Sequence, residues 1–413
     1  MSSAELNDRA RRELDGVDET RKKKRRKLKI FGQEVFNDGR FDIIYMVLVL
    51  VILTIGLVML FSASYITAKY SSKSDYDAYF YIKKQLIFTV IGLLLMFFIA
   101  RLNTGFIKLL TIPVAVISFI LLVVVLIHPY EVAGKEGIRR WLQLPLIGTF
   151  QPSDVAKLGL IMFYAWMLEK YRKKLEKKWW LQFLCFAILA VVCVLVLFEK
   201  HLSGTILMFI IGMCMLYLGG IDNRLFFALL GVLVVGGTAV ILLRHRILPE
   251  FQAQRIDSFF NKDYNDTNTR WQTNQSLFAL GSGGFFGLGL GNSRQKHMFL
   301  PEPQNDFIFA IVGEELGFLR SVVILLIFAI IVWRGFVIAT RSRSIYDKLL
   351  AFGISVQVGI QTILNILVVT DLIPNTGISL PFFSYGGTAL IIQLVEMGMV
   401  LSVSGHKTEK RVR

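Results

Sequence analysis

Apolar runs of about 18 or more residues recur along this chain, and no other feature limits its fold as strongly. Each run is long enough to cross a bilayer as a helix. In lipid every backbone N–H and C=O must be satisfied within the protein, which leaves only helices and closed barrels. The runs are continuous and do not alternate with period two, so a barrel is excluded. The predicted spans are residues 43–66, 85–100, 106–127, 153–168, 180–198, 204–219, 225–243, 306–333, 349–369 and 386–403. The sequence therefore predicts an all-α membrane protein of about ten transmembrane helices, with a long extracytoplasmic loop between spans seven and eight.

A formal net charge of +16 invites a nucleic-acid reading, but the distribution of the charge opposes it. Lys and Arg crowd into the block Arg21-Lys-Lys-Lys-Arg-Arg-Lys-Leu-Lys29, the short loop Glu169–Lys178, the loop bearing Arg334, Arg341, Arg343 and Lys348, and the tail His406–Arg413. With both termini cytoplasmic, all of these fall on the cytoplasmic side, as orientation signals do. Residues 1–42 read as a basic, largely disordered tail, 43–404 as one polytopic membrane domain, and 405–413 as a second basic tail. No cleavable signal is visible. Cys185, Cys193 and Cys214 sit in apolar runs and read as small buried hydrophobes, with no metal-ligand spacing.

The polar residues that remain in or beside the spans carry the functional argument, because charge inside a membrane is expensive and is usually retained for a purpose. A glycine-rich stretch, Gly281 to Gly291, leads through Pro301-Glu-Pro-Gln-Asn-Asp306 into an apolar run that holds Glu314 and Glu315. On a continuous helix Glu314 lies roughly 80° round from Asp306 and about 12 Å deeper, so it is the better candidate to share a cavity with that aspartate. Asp306 reads either as a helix N-cap or as a functional carboxylate at the outer interface. Asp154 and Lys157, three apart, share one helix face, either as a self-satisfying ion pair or as a basic group presented to an anionic headgroup. Gln357, Gln361 and Asn365 form a polar stripe facing the bundle interior, suited at least to interhelical hydrogen bonds. Arg139, Arg140 and Trp141 lie in an outer loop where arginine is no orientation signal; they suit phosphate binding or interfacial anchoring.

At these residues the chain resembles the SEDS family of shape, elongation, division and sporulation proteins, typified by FtsW and RodA. Gly137-Ile-Arg-Arg-Trp141 looks like the family's Gly-x-x-Arg-Trp loop, and Phe150-Gln-Pro-Ser-Asp-Val-Ala-Lys157 like its Gln-Pro-Ser-Glu-x-x-Lys block, with Asp for Glu. Leu300 to Gly317 resembles its most specific signature, and Leu380-Pro-Phe-Phe-Ser-Tyr-Gly-Gly387 another. The resemblance implies a peptidoglycan glycosyltransferase of the bacterial cytoplasmic membrane that polymerises lipid II, with Asp306 as catalytic aspartate. It also implies a class B penicillin-binding protein as transpeptidase partner, alongside other division or elongation proteins. Many members carry Pro-Asp-Leu-Gly-Thr where this chain has Lys200-His-Leu-Ser-Gly-Thr205, so no role passes to His201; the variant leans toward the division-type branch.

A sugar hydroxyl must lose a proton as it attacks the anomeric carbon, and one positioned carboxylate suffices, here Asp306. Arg139, Arg140 and Lys157 would offset charge on the pyrophosphate. Trp141, Gln151, Asp154, Gln275, Ser276, Lys296, Glu302, Glu314, Asn365 and Ser384 complete the candidate substrate contacts. No bound cofactor is expected; a divalent cation, Mg²⁺ or Mn²⁺, could share the charge, though no ligand cluster is evident. Two rivals remain: a lipid II flippase, which would want polar groups across the full depth, and a non-catalytic division scaffold, for which Asp306 is dispensable.

Overall fold

The computed structural model describes residues 29–30, 33–36, 39, 41–130, 139–144, 148–175, 177–247, 250–261 and 269–405. The basic block up to Leu28, the Gly137-Ile138 part of the arginine loop and the tail His406–Arg413 lie outside the described residues.

A helix stands at each predicted span. In order they are α1 (Ile43–Lys69), α2 (Phe80–Ala100), α3 (Thr104–Ile127), α4 (Pro152–Leu175), α5 (Trp179–Phe198), α6 (Leu202–Leu218) and α7 (Asn223–Leu242). Three shorter helices follow, α8 (Arg244–Ile247), α9 (Glu250–Phe260) and α10 (Thr269–Gly283), and then α11 (Ile308–Thr340), α12 (Ile345–Val369) and α13 (Gly387–Gly405). Among the described residues, eight helices are long and apolar enough to cross a membrane; α4 and α6 are not among them. α6 is short, at 17 residues. α4 carries Asp154, Lys157 and a charged last turn, yet nearly every residue from Pro152 to Leu168 is buried. It packs against α3, α6 and α12. A helix shielded from lipid by its neighbours has no need of an apolar surface. α7 is the opposite case, strongly apolar and hardly buried.

Three expectations change. The described residues of the stretch 244–305 carry three short helices, α8 to α10, and a series of turns after them. Two small antiparallel ribbons interrupt the all-helical picture, β1 (Lys29–Ile30) with β2 (Gln33–Glu34) and β3 (Leu142–Leu144) with β4 (Gly148–Phe150). Just past the first ribbon, the Val35 carbonyl accepts from Asn103 N–H at 2.8 Å, so the end of the N-terminal tail docks on the α2–α3 turn. Finally, span eight begins at Ile308 rather than Asp306, and Gly317, at φ 77° and ψ 176°, breaks α11 into two helices.

At the end of the bundle where α1 starts, Asp42 caps that helix by accepting from Tyr45 N–H at 3.0 Å. Its carboxylate also pairs with Arg334 of α11 at 2.7 Å, and its N–H reaches Ser404 Oγ of α13 at 2.8 Å. This clamp fixes three helices at the end opposite the site.

Candidate active site

At the other end the helices enclose a cavity of about 1690 Å³. Drug-sized ligands occupy roughly 300–1,000 Å³, so this space suits something larger. Its lining comes from the N-terminal turns of α2, α4, α6 and α13, from Arg255 of α9 and Gln361 of α12, and from residues of the segments 140–151, 302–306 and 377–379.

Asp306 sits half-buried on its wall. The segment before α11 is a run of turns, and the N-cap is Phe307, which makes no side-chain capping bond. The N-cap alternative for Asp306 is therefore corrected: Asp306 stands one residue before the N-cap position. Its backbone is held from behind. Asn365 Nδ2 of α12 donates to the Asp306 carbonyl at 2.7 Å and to the Ile378 carbonyl at 2.6 Å. Ser384 Oγ donates to the Asn305 carbonyl at 2.8 Å, and Tyr385 N–H donates to the Gln304 carbonyl at 2.8 Å. Gly377 closes the other side in the left-handed region, at φ 74°, where a Cβ would stand 3.1 Å from Asp306 Oδ2. Its missing side chain is what lets the backbone approach the carboxylate.

Two guanidinium groups face that carboxylate. Burial, and repulsion from Arg255, push Arg140 down to about 10, while Asp306 and Glu199 act the other way. Burial likewise lowers Arg255, opposed by Asp306. Both arginines keep their charge at neutral pH, so Asp306 shares the cavity with two cations that its charge supports. Lys157 and Asp154 form a buried ion pair at 2.8 Å on the cavity wall. Beside them Gln151 Nε2 donates to Ser153 Oγ at 2.9 Å and lies 3.3 Å from His201 Nδ1. Burial, Arg140 and Lys157 hold His201 well below its ordinary range, hence neutral.

The cavity thus collects Asp306, Arg140, Trp141, Gln151, Asp154, Lys157 and the exposed Glu302. The remaining candidates lie elsewhere. Arg139 is exposed and reaches the Leu126 carbonyl at 3.2 Å. Ser276 donates to the Val369 carbonyl at 2.8 Å, and Gln275 beside it is buried on α10. Asn365 and Ser384 serve the wall from behind.

Glu314 does not share the cavity with Asp306, which corrects the helical extrapolation. It is fully buried and accepts from Ser282 Oγ, Ser293 Oγ and the N–H groups of Arg294 and Gln295. Glu315 pairs with Lys296 Nζ at 2.8 Å and accepts from Ser62 Oγ of α1 at 2.7 Å. These acids clamp the glycine-rich segment, because that segment, rather than the cavity, packs over their side of α11. Lys296, 4% exposed, is spent in the same clamp.

Arg255 and His201 were not identified from the sequence as site residues. For Arg255 a signal existed: it too is an arginine in a stretch predicted to lie on the side where arginine is no orientation signal. Among the described residues no group of three or more His, Cys, Asp or Glu side chains gathers as metal ligands.

Fold and site together define a multi-pass helical membrane protein with a large cavity lined by charged side chains at one end of its bundle. The chain belongs to the FtsW/RodA/SpoVE family: the family model, described as cell cycle protein, matches residues 42–409. Stage V sporulation protein E of Bacillus subtilis is 38% identical over 371 residues, covering 88% of this chain and 97% of that relative. A protein named probable peptidoglycan glycosyltransferase FtsW, from Trichlorobacter lovleyi, is 34% identical over 372 residues, covering 89% and 94%. The crystal structure of the rod shape determining protein RodA of Thermus thermophilus matches with a TM-score of 0.63 at 25% identity, covering 90% of this chain and 98% of that one. A peptidoglycan synthase complex coordinating polymerization and crosslinking matches in fold, with a TM-score of 0.68 at 24% identity, covering 88% and 97%.

Proposed function

We propose that this protein is a peptidoglycan glycosyltransferase that polymerises lipid II in the cytoplasmic membrane, with Asp306 as general base. The observation that carries the reading is that Asp306, Arg140 and Arg255 line one large cavity, with the carboxylate supporting the charge of both guanidinium groups. A sugar hydroxyl attacks the anomeric carbon of a second unit; its proton passes to Asp306, and the pyrophosphate-lipid leaves with the bonding electron pair. Proton transfer to such a base is worth about 10²–10⁴-fold. Arg140, Arg255 and Lys157 offset the charge on the departing pyrophosphate. Phe88 and Ile91 of α2 give the same cavity an apolar flank beside which a lipid chain fits.

The helical lining residues cluster toward one end of the bundle, in the N-terminal turns of α2, α4, α6 and α13 and the C-terminal half of α12. This favours polymerisation over transport across the full depth. We infer that this end faces outward and that both termini are cytoplasmic. A cysteine placed at exposed Ser72 should then react with an impermeant thiol reagent added outside, and one at exposed Lys174 should not; the reverse pattern would sink the orientation. A class B penicillin-binding protein is the proposed partner for crosslinking. The direct test of function is glycan formation from purified lipid II by the protein with that partner.

Lys157→Ala should raise the KM for lipid II by about 10- to 100-fold, the worth of a lost charge-assisted contact. Asp154→Asn should cost less, since the ammonium remains. Initial rates across a lipid II titration separate the two, and a Lys157→Ala protein with wild-type KM would reduce the pair to a structural tie.

A further inference from the structure

The turn between α5 and α6 holds a carboxyl group that the chemistry above does not use. Glu199 is fully buried, and neither of its side-chain oxygens has a hydrogen-bond partner. Buried polar atoms are rarely left so, because each unmade bond costs about 1–3 kcal/mol. A complementary vacancy lies beside it: Nε of Arg140 is also buried and without a partner. The same guanidinium donates through Nη2 to the carbonyl of Lys200, the residue next to Glu199. Lys200 stands in the left-handed region at φ 59°, an uncommon conformation for a residue with a side chain. The Lys200 carbonyl thus ties Arg140 to the turn that carries Glu199, and the two side chains interact electrostatically, while Arg140, unlike Glu199, lines the cavity.

We propose that Glu199 is a positioning residue for Arg140, accepting its Nε–H as an anionic pyrophosphate enters, so that the guanidinium is held toward Asp306 and the substrate. The inference rests on the reading of the cavity as a lipid II site. Burial pushes the Glu199 carboxyl up to about 9, with Arg140 opposing and Asp154 adding to the rise. The group is therefore neutral at ordinary pH and acts through its carbonyl oxygen, as an acceptor rather than a counter-ion.

An acceptor without charge gives a distinctive pattern of substitutions. Glu199→Met keeps the volume and removes the acceptor; Glu199→Gln keeps both. The full-length protein, with purified lipid II as probe, should bind about 10-fold more weakly as Glu199→Met and within about 3-fold of wild type as Glu199→Gln. Thermal stability of Glu199→Met should be equal to or above wild type, since a buried unpartnered carboxyl is gone. In the Arg140→Gln background, Glu199→Met should change affinity no further. Wild-type affinity in Glu199→Met, or an additive loss in the double variant, overturns the proposal. If methionine prevents folding, Glu199→Leu carries the same test, and failure of both to fold overturns it by making Glu199 a folding element. Glycan formation by the wild type is measured alongside. A wild type that binds lipid II without polymerising it sinks the polymerase reading and leaves this one standing; a wild type that does not bind lipid II sinks both.

Discussion

Asp306→Asn protein is expected to insert, fold and bind its partner, yet to lose glycan polymerisation by about 10²–10⁴-fold, the usual cost of removing a general base. The substitution isolates the proton acceptor because Phe307, not Asp306, is the N-cap of α11, and asparagine keeps the shape and the acceptor oxygen of aspartate. The segment is held through backbone carbonyls instead, by Asn365 and Ser384, and asparagine leaves those bonds in place. Removing the carboxylate leaves Arg140 and Arg255 facing one another without it, so affinity for the anionic substrate should hold or rise while turnover collapses. Polymerisation from lipid II, read as glycan length on a gel beside a lipid II binding isotherm, gives both quantities. Normal glycan from a well-folded Asp306→Asn protein would move the base elsewhere, with Glu302, on the same wall, the next to test.

The second large effect is on folding. Gly317→Ala should destabilise the protein by several kcal/mol and remove most of the folded, monodisperse material. At φ 77° and ψ 176° the backbone is in a region close to glycine-only, which costs about 1–3 kcal/mol for other residues. An added Cβ would also stand 2.2 Å from the backbone nitrogen of Gly287. Gly287, in turn, at φ 81°, would place a Cβ 2.2 Å from the Glu315 carbonyl oxygen, so neither strand can retreat. Backbone bonds cross the same contact, from Leu288 N–H to the Glu314 carbonyl and from Phe318 N–H to the Gly284 carbonyl, at 3.0 and 2.9 Å. Gly231→Ala on α7, with nothing within 4 Å of the added carbon, is the control and should be neutral or better. Thermal unfolding followed by fluorescence size exclusion checks both; a Gly317→Ala protein as stable as wild type would mean that the break in α11 is not needed.

Much of this protein was legible as sequence because lipid imposes a local rule. A backbone that must satisfy itself inside a span needs a long apolar run, and such a run can be counted without knowing its neighbours. The Asp154–Lys157 pair was legible for a similar reason: three residues apart on a helix are adjacent whatever surrounds them. So was the polar stripe on α12, whose Gln357, Gln361 and Asn365 reach Glu396, Ser379 and Asp306, each on another segment. Where the rule was extended past its reach it failed. The angle from Asp306 to Glu314 assumed one helix, but Asp306 lies in turns and the helix begins only at Ile308.

The sequence by itself determined where the spans lie, which face of α12 turns inward and which aspartate stands at the threshold of α11, since each depends on residues within a few turns of one another. Tertiary structure alone decided that Arg255 and Arg140 meet at Asp306, that Glu314, Glu315 and Lys296 are consumed in clamping the glycine-rich segment, and that Asn365 and Ser384 support the wall from behind. Those contacts join segments remote in sequence through non-helical backbone. No periodicity runs through such backbone, so the partners are set only when the helices pack.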